Sequence, residues 1–282
     1  MDVRRIAAFS HDSAGGNPAG VVLLDAPARR ADMARVAAEV GYSETAFAVP
    51  DGDGDRSWRV RYFSPESEVP FCGHATIALG AALGARYGAG TYRLLLNDAE
   101  ITVDAEPTGA DMAATLVSPP TRSRPATEAE RRDALALFGL SFSDLDDRLP
   151  PARIHAGADH VVLVLADRAR LASMNYDLDE GRRIMRLHGL VTIMLVHVKD
   201  EQAFVARNAF ASGGVPEDPA TGAAAAAFAG YLRDRGWRHG GRLTIRQGED
   251  MGAPSVIAVR LTDIAGSPVR VSGQVRVIGA AE

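Results

Sequence analysis

Val69–Leu83 reads VPFCGHATIALGAAL, and Val215–Ala229 reads VPEDPATGAAAAAFA. Each stretch opens on Val-Pro, passes through a polar turn and runs into a helix of small and apolar residues. Arg61 and Arg207 precede them at an offset of 146 positions, and the same offset joins Cys72 to Asp218. On that offset the stretches superpose without a gap. The chain therefore reads as two halves of one doubled fold, each with a reactive turn at the N-terminus of a buried helix.

The first backbone N–H groups of a helix lack intrahelical partners, and with the macrodipole they form an anion site. Small residues at both starts (Gly73, Ala75, Thr76; Thr221, Gly222, Ala223) let a ligand approach those groups. Both helices are apolar nearly all round, the mark of a helix buried on every side. Two such helices, with their N-termini turned to one cleft, hold a small carboxylate. The Ala-rich helix alone reads more simply as close packing against a sheet. The repeat and the polar residues at both turns favour a site.

The 282 residues are 46% hydrophobic and 24% charged, with a net charge of −5. That composition suits a globular fold with a large core. Scattered charges of slightly acidic balance point away from nucleic acid and from anionic membranes. A single cysteine excludes an intramolecular disulfide and a thiolate metal cluster. The start MDVRRIAAF lacks the apolar run of a signal peptide, and no run of 18 apolar residues exists, so the cytoplasm is expected. Lys199 is the one lysine and sits in a turn, which gives little support to Schiff-base or P-loop chemistry.

Periodicity and turn residues order the first half as follows. Strands are expected at Val3–Ser10, Val21–Leu24, Ser43–Val49 and Ser57–Phe63, with a helix over Arg29–Val40 ended by Gly41. Asp51–Asp55 (DGDGD) lacks the later ligands of a calcium loop and reads as a hairpin turn. The central helix Gly73–Tyr87 and strands at Thr91–Leu96, Glu100–Asp104 and Met112–Val117 follow. Ser118–Pro125 (SPPTRSRP) reads as a linker.

The second half repeats the order, with helices at Thr127–Phe138, Asp177–Leu187 and Thr221–Arg235. Its strands fall at Arg153–His155, His160–Leu165, Leu190–Val198, Gln202–Arg207, Arg242–Arg246, Ser255–Leu261 and Val269–Ile278. The expected fold is α+β, with two pseudo-symmetric domains, 1–118 and 119–282. Each is a curved, mostly antiparallel sheet around a central helix rather than alternating β-α-β units. The last strand, after about residue 267, is free to return to the first domain.

No dinucleotide fingerprint, Walker A loop, nucleophile elbow or HExxH motif is present, and the seven histidines are dispersed, so no cofactor and no metal are expected. Acid–base residues remain: Glu44, His74 and Asp218, with Cys72 beside them. His74 starts a helix, where the positive dipole end favours a neutral imidazole able to relay a proton; it also reads as a cap. Asp218 reads as an N-cap, with Pro219 suited to the next position. Glu44 is a charge in an apolar strand, either exposed on one face or held in a cleft as a general base. Carboxylate and imidazole groups beside helix N-termini fit removal of a C–H proton and its return elsewhere.

The segments NPAGVVLL, SETAFAV, FSPESEVPFCGHATIALGAAL and EDPATGAAAAAFAGYL resemble the PhzF-like (phenazine biosynthesis) proteins, relatives of diaminopimelate epimerase. The likeness runs in order along nearly the whole chain. It implies an isomerase with the doubled fold, a site between two similar domains, a homodimer and acid–base catalysis without cofactor on a small carboxylated substrate. The phenazine enzyme isomerises trans-2,3-dihydro-3-hydroxyanthranilate. Residue by residue, Glu44 matches the family's general acid/base, His74 the histidine of its G-H motif and Asp218 the aspartate of its E-D motif. Asn17, Ser43, Cys72, Gly73, Thr76, Thr221, Gly222 and Ala223 match positions lining the substrate.

The chain departs from the family in four places that bear on the substrate. The family often has T-G-S where this chain has Thr221-Gly222-Ala223. The aromatic-x-Pro pattern upstream is replaced by Asn208-Ala209-Phe210-Ala211, and the phenazine enzyme has a small residue at the place of Cys72 and proline at that of Ala75. Two alternatives stay open: an amino-acid racemase or epimerase using Cys72, and a non-catalytic small-ligand-binding protein.

Overall fold

The computed structural model describes every residue except 53, 55, 98, 110 and 280–282. Asp53 and Asp55 of the expected hairpin turn thus lie outside the described residues. The chain forms two compact units: Met1–Val117 with Ser272–Glu282, and Ser118–Val271.

In the first unit the order is β1 (Arg4–Ser10), β2 (Asn17–Leu23), α1 (Arg30–Val40), β3 (Thr45–Pro50), β4 (Ser57–Phe63), β5 (Glu68–Val69), α2 (Gly73–Tyr87), β6 (Gly90–Leu95), β7 (Glu100–Thr108) and β8 (Asp111–Val117). β1–β2, β3–β4, β4–β5, β6–β7 and β7–β8 pair antiparallel, whereas β2–β3 and β4–β6 are parallel. The second unit holds β9 (Arg122–Pro125), α3 (Glu128–Leu137), β10 (Ala152–His155), β11 (Asp159–Leu165), α4 (Arg168–Ala172), α5 (Leu178–His188), β12 (Thr192–Val198), β13 (Ala203–Ala209), β14 (Glu217–Asp218), α6 (Gly222–Asp234), β15 (Arg242–Gln247) and β16 (Ser255–Arg260). Its pairings copy the first: β11–β12 and β13–β15 are parallel, and β10–β11, β12–β13, β13–β14 and β15–β16 antiparallel. The last strand, β17 (Arg270–Val277), contains the division between the units, and its C-terminal part pairs with β1 from Ile6–Val277 to Ser10–Gln274.

Each unit is a mixed sheet wrapped around one helix. In α2 the residues from His74 to Gly84 are all buried, and the helix packs on β1, β2, β3, β6, β7 and β8. In α6 burial runs from Ala224 to Arg233, against β9, β10, β11 and β16. Glycine permits the close approach: a Cβ on Gly80 of α2 would lie 2.5 Å from a Val103 methyl. Apolar burial favours the packing of these helices on the sheet, each buried Leu or Ile side chain contributing about 2 kcal/mol.

The sheets are mostly antiparallel, as expected; helical crossovers add to that pattern, and one expectation, the linker, is corrected. Parallel pairs occur in both units, and parallel strands need a long crossover. That crossover is a helix each time, α1 and α2 in the first unit, so β-α-β connections are part of the fold. Ser118–Pro125 is not a free linker. Ser118 and Thr121 donate backbone N–H groups to Val269 and Gly266, and Arg122–Pro125 is the strand β9, paired with β10.

One aromatic residue carries backbone strain. Phe9, fully buried, has φ 61° at a bulge in β1 between Ala8 and Ser10. A Cβ on Gly273 would lie 3.0 Å from the Phe9 Cα, so glycine at that position leaves room for the bulge.

Candidate active site

In the first unit the turn before α2 is held by an ion pair. β5 pairs with β4 through Tyr62–Val69 and Phe63–Glu68. Arg61 donates to both oxygens of Glu68, Nε at 2.7 Å and Nη2 at 2.6 Å. This fork, with Asn97 and Arg30 assisting, pulls the Glu68 carboxyl down to about 2. The chain leaves the turn at Cys72, the cap position of α2, whose side chain makes no capping bond. Thr76 makes the first intrahelical bond, N–H to Cys72 carbonyl at 3.0 Å. The N–H groups of Gly73, His74 and Ala75 precede it and face the helix start. A Cβ built on Gly73 meets nothing within 4 Å, so a ligand can reach that backbone.

His74 lies at the centre of the polar side chains here. Its Nδ1 is 3.3 Å from Cys72 Sγ, and its Nε2 is 3.4 Å from Ser43 Oγ and 3.5 Å from Glu44 Oε2. The last distance is longer than that of a short hydrogen bond. The side chains of Glu44 and His74 are only 15% and 8% exposed. Glu44 is not inside a strand, contrary to expectation. β3 begins one residue later at Thr45, and Glu44 belongs to the segment between Gly41 and that strand, where its carbonyl accepts the Gly20 N–H. Gly41, at φ 73°, ends α1 and redirects the chain so that Ser43 and Glu44 meet His74. A carboxylate oxygen, a thiol and a ring nitrogen from Glu44, Cys72 and His74 lie within 4.8 Å of one another. That donor set suits proton relay and is also chemically able to take a divalent cation.

The other first-unit positions are less open. The Thr76 hydroxyl donates to the Cys72 carbonyl at 2.7 Å and therefore accepts from the Tyr62 hydroxyl at 2.6 Å. Burial pushes the Tyr62 phenol up, so it stays protonated as that donor. Thr76 thus spends both its N–H and its hydroxyl on the helix start. Asn17 is buried at the first position of β2, opposite Ala8.

The second unit repeats the clamp with a longer turn. Arg207 pairs with Glu217, Nε to Oε1 at 3.0 Å, while Asn208 stands opposite Asp218 in the β13–β14 ladder. Arg61 and Glu68 are seven residues apart, Arg207 and Glu217 ten. The three extra residues form the single 3₁₀ turn Ala211–Gly213. The gap-free superposition therefore fails past Arg207. By strand pairing Asp218 corresponds to Val69, and by helix start Thr221 corresponds to Cys72. Asp218 is not the N-cap either, since Thr221 occupies that position. The buried Asp218 carboxylate accepts from the Thr221 hydroxyl at 2.5 Å. Ala225 N–H makes the first intrahelical bond of α6, to the Thr221 carbonyl, so Gly222, Ala223 and Ala224 precede it.

Gln247, at the end of β15, is a residue that reasoning from sequence passes over. It is fully buried and bonds the Asp218 carbonyl through Nε2 at 2.6 Å and the Thr221 N–H through Oε1 at 3.3 Å. Nothing local marks it, because Arg-Gln-Gly reads as an ordinary strand end.

The phenazine biosynthesis-like protein family (PhzC-PhzF) matches residues 6–281. An uncharacterized isomerase of Deinococcus radiodurans is 32% identical over 267 residues, covering 91% of this chain and 85% of the relative. The trans-2,3-dihydro-3-hydroxyanthranilate isomerase of Pseudomonas chlororaphis is 30% identical over 271 residues, 94% of this chain and 92% of that protein. Among solved structures, a Bacillus anthracis phenazine biosynthesis protein of the PhzF family superposes with a TM-score of 0.85 at 22% identity, over 99% of this chain and 98% of the other.

Proposed function

Because the chain belongs to the phenazine biosynthesis-like (PhzC-PhzF) family, whose similar members are named isomerases, we propose that it is a cofactor-independent isomerase of a small carboxylated molecule. Its substrate is of the class of trans-2,3-dihydro-3-hydroxyanthranilate, the compound in the name of the Pseudomonas chlororaphis relative. The reading is carried by the contact of Glu44 with His74 at 3.5 Å, two shielded groups beside the open start of α2. Glu44 takes a proton from a carbon acidified by a conjugated, carboxyl-bearing system. The electron pair moves into that system, and Glu44 returns the proton to another carbon. Its carboxylate ends as it began, so the cycle consumes no reductant or oxidant. The N–H groups of Gly73, His74 and Ala75 provide the partial charge for a substrate carboxylate. His74, between Glu44 and Cys72, orients the base and relays the proton. Asp218 is given a supporting acid–base role on the strength of the family motif.

A second reading, a racemase or epimerase using Cys72, draws on the 3.3 Å approach of Cys72 Sγ to His74 Nδ1. It has no second thiol, since Cys72 is the only cysteine and its counterpart in the repeat is Thr221.

Proton NMR in D₂O tests both. The protein is incubated with trans-2,3-dihydro-3-hydroxyanthranilate and a panel of amino and hydroxy acids, beside Glu44→Gln and Cys72→Ser. Glu44→Gln is expected to lower isomerisation by about 10²-fold or more with an unchanged melting temperature. Undiminished activity in that variant overturns the proposal. Deuterium uptake that requires Cys72 instead assigns the racemase reading.

A further inference from the structure

We infer that Gln247 is a positioning residue that sets the Asp218 turn, fixing Asp218 and the start of α6 in one geometry. The inference rests on the reading of Asp218 as part of the reactive site.

The direction of every hydrogen bond around Gln247 follows from two backbone groups. The Thr221 N–H can only donate, and the Asp218 carbonyl can only accept. Gln247 must therefore place Oε1 toward Thr221 (3.3 Å) and Nε2 toward Asp218 (2.6 Å). Nε2 also reaches the Thr221 hydroxyl at 3.1 Å, and that hydroxyl in turn donates to Asp218 Oδ2 at 2.5 Å. One amide thus holds the turn at a carbonyl, an N–H and a hydroxyl.

The constraint then runs inward. Gln247 Oε1 accepts from Asn208 Nδ2 at 3.1 Å, which turns Asn208 Oδ1 toward the Thr192 hydroxyl at 3.0 Å. Thr192 donates there, so its oxygen accepts from His160 Nδ1–H at 2.7 Å. The tautomer of His160 is thereby fixed with Nε2 unprotonated. Burial holds the ring neutral, its pKa pushed down to about 3. His160, Thr192, Asn208 and Gln247 are all fully buried, in four different strands or their ends. Along the side chains the donors point one way, from His160 to the Asp218 carboxylate, while the Thr221 N–H donates back to Gln247 Oε1. An apolar residue of the same shape would fill the space of Gln247 but would leave the Thr221 N–H and the Asp218 carbonyl without this partner.

Amide hydrogen exchange by NMR tests the assignment directly. In Gln247→Met the Thr221 N–H is expected to exchange at least about tenfold faster relative to Phe228 N–H, an internal reference buried in α6. In the isomerisation assay kcat is expected to fall by about 10- to 100-fold. Gln247→Glu supplies a signature that simple loss of packing lacks. Ionised, its second oxygen faces the Asp218 carbonyl, acceptor against acceptor; protonated, it donates there as the amide does. Thr221 protection and turnover in this variant are expected to recover as pH falls, with no such recovery in the wild type. Equal Thr221 protection in Gln247→Met and wild type overturns the inference, and so does a Gln247→Glu protein whose Thr221 exchange, corrected for intrinsic pH dependence, follows the wild type. Asp218→Asn separates the two claims. Full turnover in that variant removes Asp218 from the reaction, while the exchange results still decide what Gln247 does to the turn.

Discussion

His160 shows how a single buried side chain writes a pH dependence into the whole molecule. Its folded pKa is pushed down to about 3 by burial, from an ordinary value of 6.5. Between those values the unfolded chain binds a proton that the folded chain does not. Stability is therefore complete above about pH 6.5 and declines as pH falls toward 3, with a slope of up to about 1.4 kcal/mol per pH unit from this residue. His160→Gln keeps a donor for Thr192 and removes the titration. Urea unfolding at a series of pH values is expected to show a shallower acid limb in that variant; identical limbs would mean that His160 takes up its proton equally well in the folded and the unfolded chain. Single residues also mark the edge of what the chain reveals in one dimension. Glu44 stands out as a charge beside apolar residues, yet its position before β3 rather than within it follows from the turn at Gly41 and the pairing of Gly20 with its carbonyl.

At the scale of elements, the central helices depend on how closely they meet the sheet. A Cβ at Gly80 would lie 2.5 Å from Val103 Cγ2 and 3.2 Å from Ala114 Cβ. Gly80→Val is expected to lower the unfolding free energy by about 2–3 kcal/mol through overpacking, despite replacing a helix glycine. Denaturant titration measures it, and a neutral effect would show that β7 and β8 yield easily. The elements themselves were largely legible. Gly73–Tyr87 and Ser57–Phe63 occupy the expected spans because turn residues bound a run of mostly small and apolar residues in the first and the alternating Trp58, Val60 and Tyr62 in the second. The short strands Glu68–Val69 and Glu217–Asp218 were not, since two residues carry no periodicity. Nor was the three-residue lengthening of the second turn. Arg61 and Arg207 are matched correctly by the repeat, but each arginine's partner is chosen by strand pairing, and the second glutamate lies three positions further on.

For the molecule as a whole, the C-terminal strand matters out of proportion to its length. Residues 272–282 belong to the first unit, and Gln274–Val277 pair with β1. A chain ending at Val271 leaves that side of β1 without its partner, and an exposed strand edge invites association. Such a chain is expected to unfold at lower temperature and to aggregate, as read by thermal scanning with light scattering; an unchanged transition would show that β17 adds nothing to the first unit. Among the described residues no helix is long and apolar enough to cross a membrane.

The amino-acid order alone determined the doubling, the two buried helices, the polar turns before them and the isomerase family. These depend on local pattern: small and apolar runs, turn residues and motifs a few positions long. Tertiary structure alone decided which residue of the second turn stands where Cys72 stands in the first, and that His74 gathers Ser43, Glu44 and Cys72 around one ring. It also decided that Asn208, Thr192, His160 and Gln247 form one directed hydrogen-bond chain. The physical reason is common to these cases. Except for Cys72 and His74, these contacts join residues 16 to 39 positions apart, selected by strand register and by the geometry of burial, and neither quantity is written in any one segment of the chain.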